Sequence, residues 1–264
     1  MADANLVVVE RIGRAARLTL NRPDQLNPLD KDTIRRLLVL ARELEDEAGL
    51  GTVIITGRGR AFSAGGDLKG YLTLYDDAAG FRTFLRDFDA LCAAIEASSK
   101  LWIAAVNGVT VAGGLEVMLA CDVVLAADDA RIGDGHSNFA QLPGAGGSQR
   151  LPRAIGALRA KRLLLTGELL TAAEAERIGL VTAVVPAADL QKEALAWAAR
   201  FEEKSPACLR GMKYLVNEGL PLPVGDALRM EQDYVHAYAT GDPDAREGLN
   251  AFAEKRPPRY RQPG

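Results

Sequence analysis

Val53-Ile-Ile-Thr-Gly-Arg-Gly-Arg-Ala-Phe-Ser-Ala-Gly-Gly66 opens as a short apolar strand, Val53 to Thr56, and runs into a glycine-rich segment closed by a Gly-Gly pair, with Asp67-Leu68 following. A continuous apolar run of this length between turn signals reads as a buried strand. The same order recurs downstream. Trp102-Ile-Ala-Ala-Val106 is a second buried strand, Asn107-Gly108-Val-Thr-Val-Ala112 leads to Gly113-Gly114, and Leu115 to Cys121 has the composition of a helix. Asp122 to Ala126 then starts another strand. Two such units roughly 50 residues apart have the period of stacked repeats. Strand–turn–helix repetition of this kind predicts an α/β fold.

The pattern extends outward on both sides. Leu6 to Val9 and Ala16 to Leu20 are β-rich runs around Arg11-Ile-Gly-Arg14 and predict a hairpin. Asn21 to Pro28 reads as a loop, after which Asp30 caps a helix predicted to run to about Ala48, with Ile34, Leu37, Leu38 and Ala41 on one face. Ala78 to Ser98 reads as an amphipathic helix. Asp134 to Ser148 is glycine-rich and polar; Ala157 to Leu165, Ala172 to Ile178 and Ala187 to Lys204 are helical segments, and Val181 to Val185 is a short strand. From about Ser205 the chain is helical and polar, with no flexible linker before it, so a C-terminal helical region packed on something else is expected.

Composition narrows the function classes. With 48% hydrophobic and 25% charged residues the chain is an ordinary globular one. Its net charge of −3 supplies no overall basic field for nucleic acid. The three cysteines, Cys92, Cys121 and Cys208, form no Cys-x-x-Cys pair and suit a reducing compartment. Two histidines, His136 and His236, argue against a multi-histidine metal site, so no metal is expected. The start, Met1 to Glu10, lacks the basic-then-apolar pattern of a signal peptide, and no run reaches about 20 apolar residues. A cytoplasmic protein without membrane partners is the expectation.

Gly65-Gly66 and Gly113-Gly114 each follow a strand and precede a helix. Glycine permits close backbone approach, and helix N-termini point free N–H groups outward and favour negative charge. Facing one another, two such sites would form an oxyanion hole. On spacing alone, the same glycines serve equally as tight strand–helix turns.

Longer stretches carry a resemblance. Ala61-Phe-Ser-Ala-Gly-Gly-Asp-Leu-Lys69 resembles the first signature of the enoyl-CoA hydratases and isomerases, within the crotonase superfamily. Ala104-Ala-Val-Asn-Gly-Val-Thr-Val-Ala-Gly-Gly-Leu-Glu116 resembles the second, and Pro143-Gly-Ala-Gly-Gly-Ser-Gln-Arg-Leu151 the third. Leu20-Asn-Arg-Pro23 and Glu247-Gly-Leu-Asn-Ala-Phe-Ala-Glu-Lys-Arg256 fit as well, so the resemblance runs in order over nearly the whole chain. It implies a crotonase-like spiral of ββα repeats over residues 1–200, holding the acyl-CoA site, and a helical oligomerisation region over 201–264 that forms a homotrimer or a dimer of trimers. It implies that Gly66 and Gly113 donate to the thioester oxygen and that Glu116 is the first catalytic glutamate. A first-turn acid stabilised by its own helix dipole is the plainer reading of Glu116. Coenzyme A contacts are implied near Asp24, Gln25 and Leu26 and along Ala64 to Leu68, including Asp67. No separate cofactor is implied, because the substrate carries the coenzyme A.

One position departs from the family. Counted back from Gly144, the second catalytic glutamate falls on His136, and the usual Gln-Pro-Glu is Asp134-Gly135-His136. Histidine, with a reference pKa near 6.5, can give or take a proton near neutrality, so Glu116 and His136 are expected to form an acid–base pair. A loop histidine bonded to local backbone is the alternative. Asp134, Ser137 and Asn138 are polar neighbours that read as orienting His136 or contacting substrate, with turn formation the plainer reading of Ser137 and Asn138. Lys255 and Arg256 read either as coenzyme A phosphate ligands across a subunit boundary or as a solvated cluster. The expected function is hydration of a 2-enoyl-CoA. The alternatives are an isomerase, decarboxylase or carbon–carbon hydrolase working through the same enolate, or an acyl-CoA-binding protein without turnover.

Overall fold

The computed structural model describes residues 6–262. The reading of the extreme N-terminus, Met1 to Asn5, lies outside the described residues. The hairpin is β1 (Val7–Ile12) and β2 (Ala15–Leu20), followed by a 3-10 turn at Pro23–Gln25 and then α1 (Lys31–Glu45). The Asp30 side chain accepts from the Thr33 N–H at 2.9 Å, which fixes the start of α1. The helix ends at Glu45, short of the expected Ala48, because the chain turns through Gly49 at φ 77°. Ile34, Leu37, Leu38, Ala41 and Leu44 form its buried face.

The first repeat is β3 (Thr52–Gly57), β4 (Ala61–Ser63), α2 (Leu68–Leu74) and α3 (Ala78–Ala97). The second is β5 (Leu101–Val106), β6 (Val109–Val111) and α4 (Gly113–Ala120). The third begins with β7 (Val123–Ala127) and β8 (Arg131–Gly133), makes a 3-10 turn at His136–Phe139, and continues into α5 (Gly147–Ile155) and α6 (Ala157–Thr166). Next come β9 (Leu170–Thr171), α7 (Ala172–Arg177), β10 (Ala183–Val185) and α8 (Leu190–Glu202). The C-terminal helices are α9 (Pro206–Gly219), α10 (Val224–Gly241) and α11 (Pro243–Ala253).

Each turn of the chain leaves one strand in each of two sheets. The larger sheet has the order β1-β2-β3-β5-β7-β10, parallel from β2 onward; the smaller has the order β4-β6-β8-β9. Every residue of β3 and β5 is buried, as expected of central strands in a parallel sheet covered on both faces. The smaller sheet holds the second strand of the ββα repeats that the family resemblance implies and the residue pattern alone does not show. Its strands have two or three residues, too few to show a period; β4 lies inside the glycine-rich segment and β6 inside the stretch leading to Gly113-Gly114. Helix α2 answers to the helix expected after Gly66, for which the residues set no bounds, and α5 begins inside the glycine-rich stretch and continues beyond it, where no element is expected. The boundary expected at residue 200 falls in the last turn of α8, and Ser205 caps α9 with its hydroxyl accepting from the Cys208 N–H at 3.2 Å.

This architecture brings the ends of β4, β6 and β8 side by side. The turns that leave them carry Gly66, Gly113 and His136, which are distant in sequence and neighbours at one edge of the smaller sheet.

Candidate active site

Gly65 and Gly113 show how closely the first two turns approach. Gly65 has φ 88°, and a Cβ there would lie 2.7 Å from the Ala112 Cβ and 3.3 Å from the Gly113 nitrogen. Only glycine tolerates both the conformation and the contact. Ala112 itself is held at φ 53°, ψ −117°, an unusual conformation for a residue with a Cβ, and it aims the first N–H of α4 away from the strand. Its own N–H donates to the Asp134 carbonyl at 2.8 Å. Gly113 is the first residue of α4, so its N–H has no intrahelical partner. Neither that N–H nor that of Gly66 donates to protein among the described residues.

α4 is an apolar, buried helix with one charged residue, Glu116, whose side chain is also buried. A carboxylate in such surroundings needs donors. Glu116 Oε1 accepts the N–H of Ala145 and that of Gly147, both at 2.8 Å. Gly147 is the first residue of α5, so the carboxylate caps α5 rather than its own helix. Arg150 secures this turn: its guanidinium donates to the Ala145 carbonyl at 2.9 Å and to Glu96 at 2.6 and 2.7 Å. Burial pushes the Glu116 carboxyl above the ordinary carboxylate range and Asp134 adds to the rise; the Gly147 and Ala145 N–H groups and the charge of His136 oppose it.

His136 opens the 3-10 turn after β8, and Gly135 before it sits at φ 70°. Asp134 is fully buried. Its Oδ1 accepts the His136 main-chain N–H at 3.2 Å, and its Oδ2 lies 2.9 Å from His136 Nδ1. Burial alone would lower the imidazole's pKa; the hydrogen bond to Asp134, with the charges of Asp134 and Glu116, outweighs it and raises the pKa. Ser137 and Asn138 stand in the same turn, and the Asn138 amide donates to the Gly167 carbonyl at 2.9 Å.

Two spaces share His136 in their walls. An outer cavity of about 760 Å³ is lined by Gln25, Ala64, Gly66, Asp67 and Leu68, with Lys69, Tyr71 and Phe139 among its other walls. Asp24 and Leu26 belong to the same stretch as Gln25 and are not among the lining residues. An inner chamber of about 40 Å³ is lined by Gly113, Glu116 and His136, with Tyr71, Tyr75, Phe84 and Phe88 from the α2–α3 side. His136, Tyr71 and Gln141 border both. Burial, with the charge of Glu116 adding, pushes the Tyr71 hydroxyl well above its ordinary pKa, so it stays a neutral hydrogen-bonding group. A reading from sequence alone takes Tyr71 to Phe88 either as pocket wall or as core. It did not identify the Ala145 and Gly147 donors, although a glycine-rich turn before a helix is the signal for such a site. Arg256 is tied to Glu247 at 2.6 and 2.9 Å, so the terminal cluster is engaged within the chain. Among the described residues no group of three or more His, Cys, Asp or Glu is gathered to hold a metal ion, and no helix is long and apolar enough to cross a membrane.

Comparison with known proteins agrees with this layout. The sequence profile of the enoyl-CoA hydratase/isomerase family matches residues 11–263. The protein named probable enoyl-CoA hydratase echA8 of Mycobacterium bovis is 42% identical over 256 residues, covering 96% of this chain and 97% of its own. The crotonyl-CoA hydratase of Syntrophomonas wolfei is 37% identical over 256 residues, covering 95% of each chain. The crystal structure of an enoyl-CoA hydratase from Bacillus anthracis superposes with a TM-score of 0.90 at 35% identity, covering 97% of this chain and 98% of that one.

Proposed function

The chain belongs to the enoyl-CoA hydratase/isomerase family, and on that premise we propose that it adds water across the double bond of a 2-enoyl-CoA. The observation that carries this reading is that Gly113, Glu116 and His136 line one chamber, which shares His136 and Tyr71 with a large cavity bordered by Gly66. The coenzyme A moiety lies in the outer cavity along Gln25, Ala64 and Asp67 to Lys69, and the acyl group enters the aromatic chamber. The thioester oxygen takes the N–H groups of Gly66 and Gly113, which stabilise the enolate as negative charge develops there. Glu116, anchored through Oε1, presents Oε2 to a water molecule and accepts its proton as the water oxygen bonds to C3. His136 delivers a proton from Nε2 to C2. The product is a 3-hydroxyacyl-CoA; proton transfer from Glu116 to His136 restores the starting state. No separate cofactor enters this scheme.

The reading includes self-association into a trimer or a dimer of trimers, supported by α10, in which none of the 18 residues is buried within the single chain. The direct test of activity is incubation with 2-butenoyl-CoA and with the free acid. Loss of the conjugated thioester's ultraviolet absorbance with the former alone is expected, and Glu116→Gln should abolish it. Conversion of a 3-enoyl-CoA to its 2-enoyl isomer with no water addition would favour isomerisation instead.

A further inference from the structure

The family pattern seats a glutamate where this chain has His136, and a histidine substituted alone would leave two questions open: which ring nitrogen meets the substrate, and what keeps the ring charged. Both are answered by a residue that touches neither cavity. Asp134 is completely buried, with its carboxylate confined to the turn it begins. Gly135, at φ 70°, folds that turn tightly enough for one carboxylate to accept the main-chain N–H of His136 on Oδ1 and to meet Nδ1 on Oδ2. A Cβ at Gly135 would collide with Val111, so the turn is also wedged against β6. Nδ1 is thereby occupied. Nε2 has no protein partner among the described residues, and the ring borders both the outer cavity and the inner chamber.

Building on the hydratase reading, we propose that Asp134 is a positioning residue that lets His136 replace the second catalytic carboxylate, by holding Nδ1 so that Nε2 alone faces the substrate. With Nδ1–H committed to Asp134, the neutral ring has its lone pair on Nε2 and the charged ring has its acidic proton there. The same nitrogen then serves hydration as an acid and dehydration as a base. The backbone of Asp134 has a second task, since its carbonyl accepts from the Ala112 N–H at 2.8 Å, one residue before the Gly113 donor. One residue thus ties the acid to the oxyanion turn.

The charged and titratable groups around the ring are few. Asp134 lies beneath it, Glu116 reaches it from α4, Tyr71 from α2, and Asp67 and Lys69 border the outer cavity. α6 packs on the 3-10 turn and turns Arg159, Lys161 and Arg162 to solvent. Hydration needs Glu116 ionised and His136 protonated. The rate should therefore rise as pH passes the Glu116 pKa and fall as it passes that of His136. Both pKa values are displaced upward, and removing the Asp134 charge should move the falling limb to lower pH.

Asp134→Asn is nearly isosteric, yet an amide can accept from only one of the two N–H groups that the carboxylate now serves. The expected outcome is a loss in kcat on the order of 10²-fold with little change in KM, and a falling limb displaced by about one unit or more toward acid. A merely structural Asp134 would lower thermal stability and leave the limb in place, and that result overturns the proposal. The wild-type ring gives an independent test. With only two histidines in the chain, and His236 exposed, nitrogen-15 NMR of the wild type and of His236→Gln assigns both rings. A neutral His136 carrying its proton on Nδ1 is expected; a proton on Nε2 overturns the proposal. This measurement needs no turnover, so failure of the dyad and failure of the hydratase reading are separate results.

Discussion

A carboxylate in the first turn of a helix is ordinarily credited to that helix's own dipole, and the sequence alone left Glu116 open to that account. The fold sends its carboxylate across to the N-terminus of α5, where two N–H groups bind one oxygen. This contact spans 29 and 31 residues of sequence, so no local pattern announces it. Gly113 poses the complementary question, because a donor N–H is invisible in the residue type. A Cβ there would lie 3.1 Å from two ring carbons of Phe88, so crowding and loss of the donor must be separated. Gly113→Ala crowds Phe88 and keeps the N–H. Gly113→Pro removes it at a first helical position, where the proline φ is tolerated. Once circular dichroism confirms that both variants fold, proline should cost about 3 kcal/mol of transition-state stabilisation beyond alanine, while acyl-CoA binding persists in part. Equal turnover in the two variants would mean that Gly113 donates nothing to the oxyanion.

Among the elements, α3 was legible because its apolar period persists over 20 residues, with Phe84, Phe88, Leu91, Cys92 and Ile95 buried. α2 was legible only as a helix following Gly66, without bounds, since it has seven residues, a glycine among them, and buries none of its side chains. Its role lies in what it stacks. Tyr71 and Tyr75 stack at 5.7 Å between ring centroids; Tyr71 meets Phe84 edge-on at 5.8 Å, and Tyr75 meets Phe81 at 5.0 Å. The Tyr75 hydroxyl donates to the Gln141 side chain, joining the end of α2 to the loop before α5 across the chamber wall. The chamber behind that wall is small, about 40 Å³. Tyr75→Ala removes both the ring and the bridge. It should raise kcat/KM for 2-octenoyl-CoA relative to 2-butenoyl-CoA on the order of tenfold, the scale of a few methylene groups in an apolar pocket. An unchanged ratio would place the chain-length limit elsewhere.

At the scale of the molecule, the repeat beginning at Val53 and Trp102 made the central strands of the larger sheet and the α/β class readable, because buried parallel strands are written as continuous apolar runs. The smaller sheet is too short-stranded to show a period, so the gathering of Gly66, Gly113 and His136 beside it was implied by the family resemblance and not by the residue pattern. The C-terminal helices were legible as helices, and apolar residues on α10 and α11 stay uncovered within one chain. Val224, Leu228 and Val235 of α10, and Leu249 and Phe252 of α11, are exposed apolar residues, and apolar stripes of this kind ordinarily bury against another surface. Light scattering at micromolar concentration should give the mass of three or six chains; a monomer would remove the inferred self-association. The central claim is that water is added to an enoyl thioester in this chamber. Its most direct test is to supply 2-butenoyl-CoA in oxygen-18-labelled water and weigh the product. One labelled oxygen in a 3-hydroxybutanoyl-CoA, absent with Glu116→Gln, is the expected result. Recovery of unlabelled 2-butenoyl-CoA by an enzyme shown to bind it would contradict the claim.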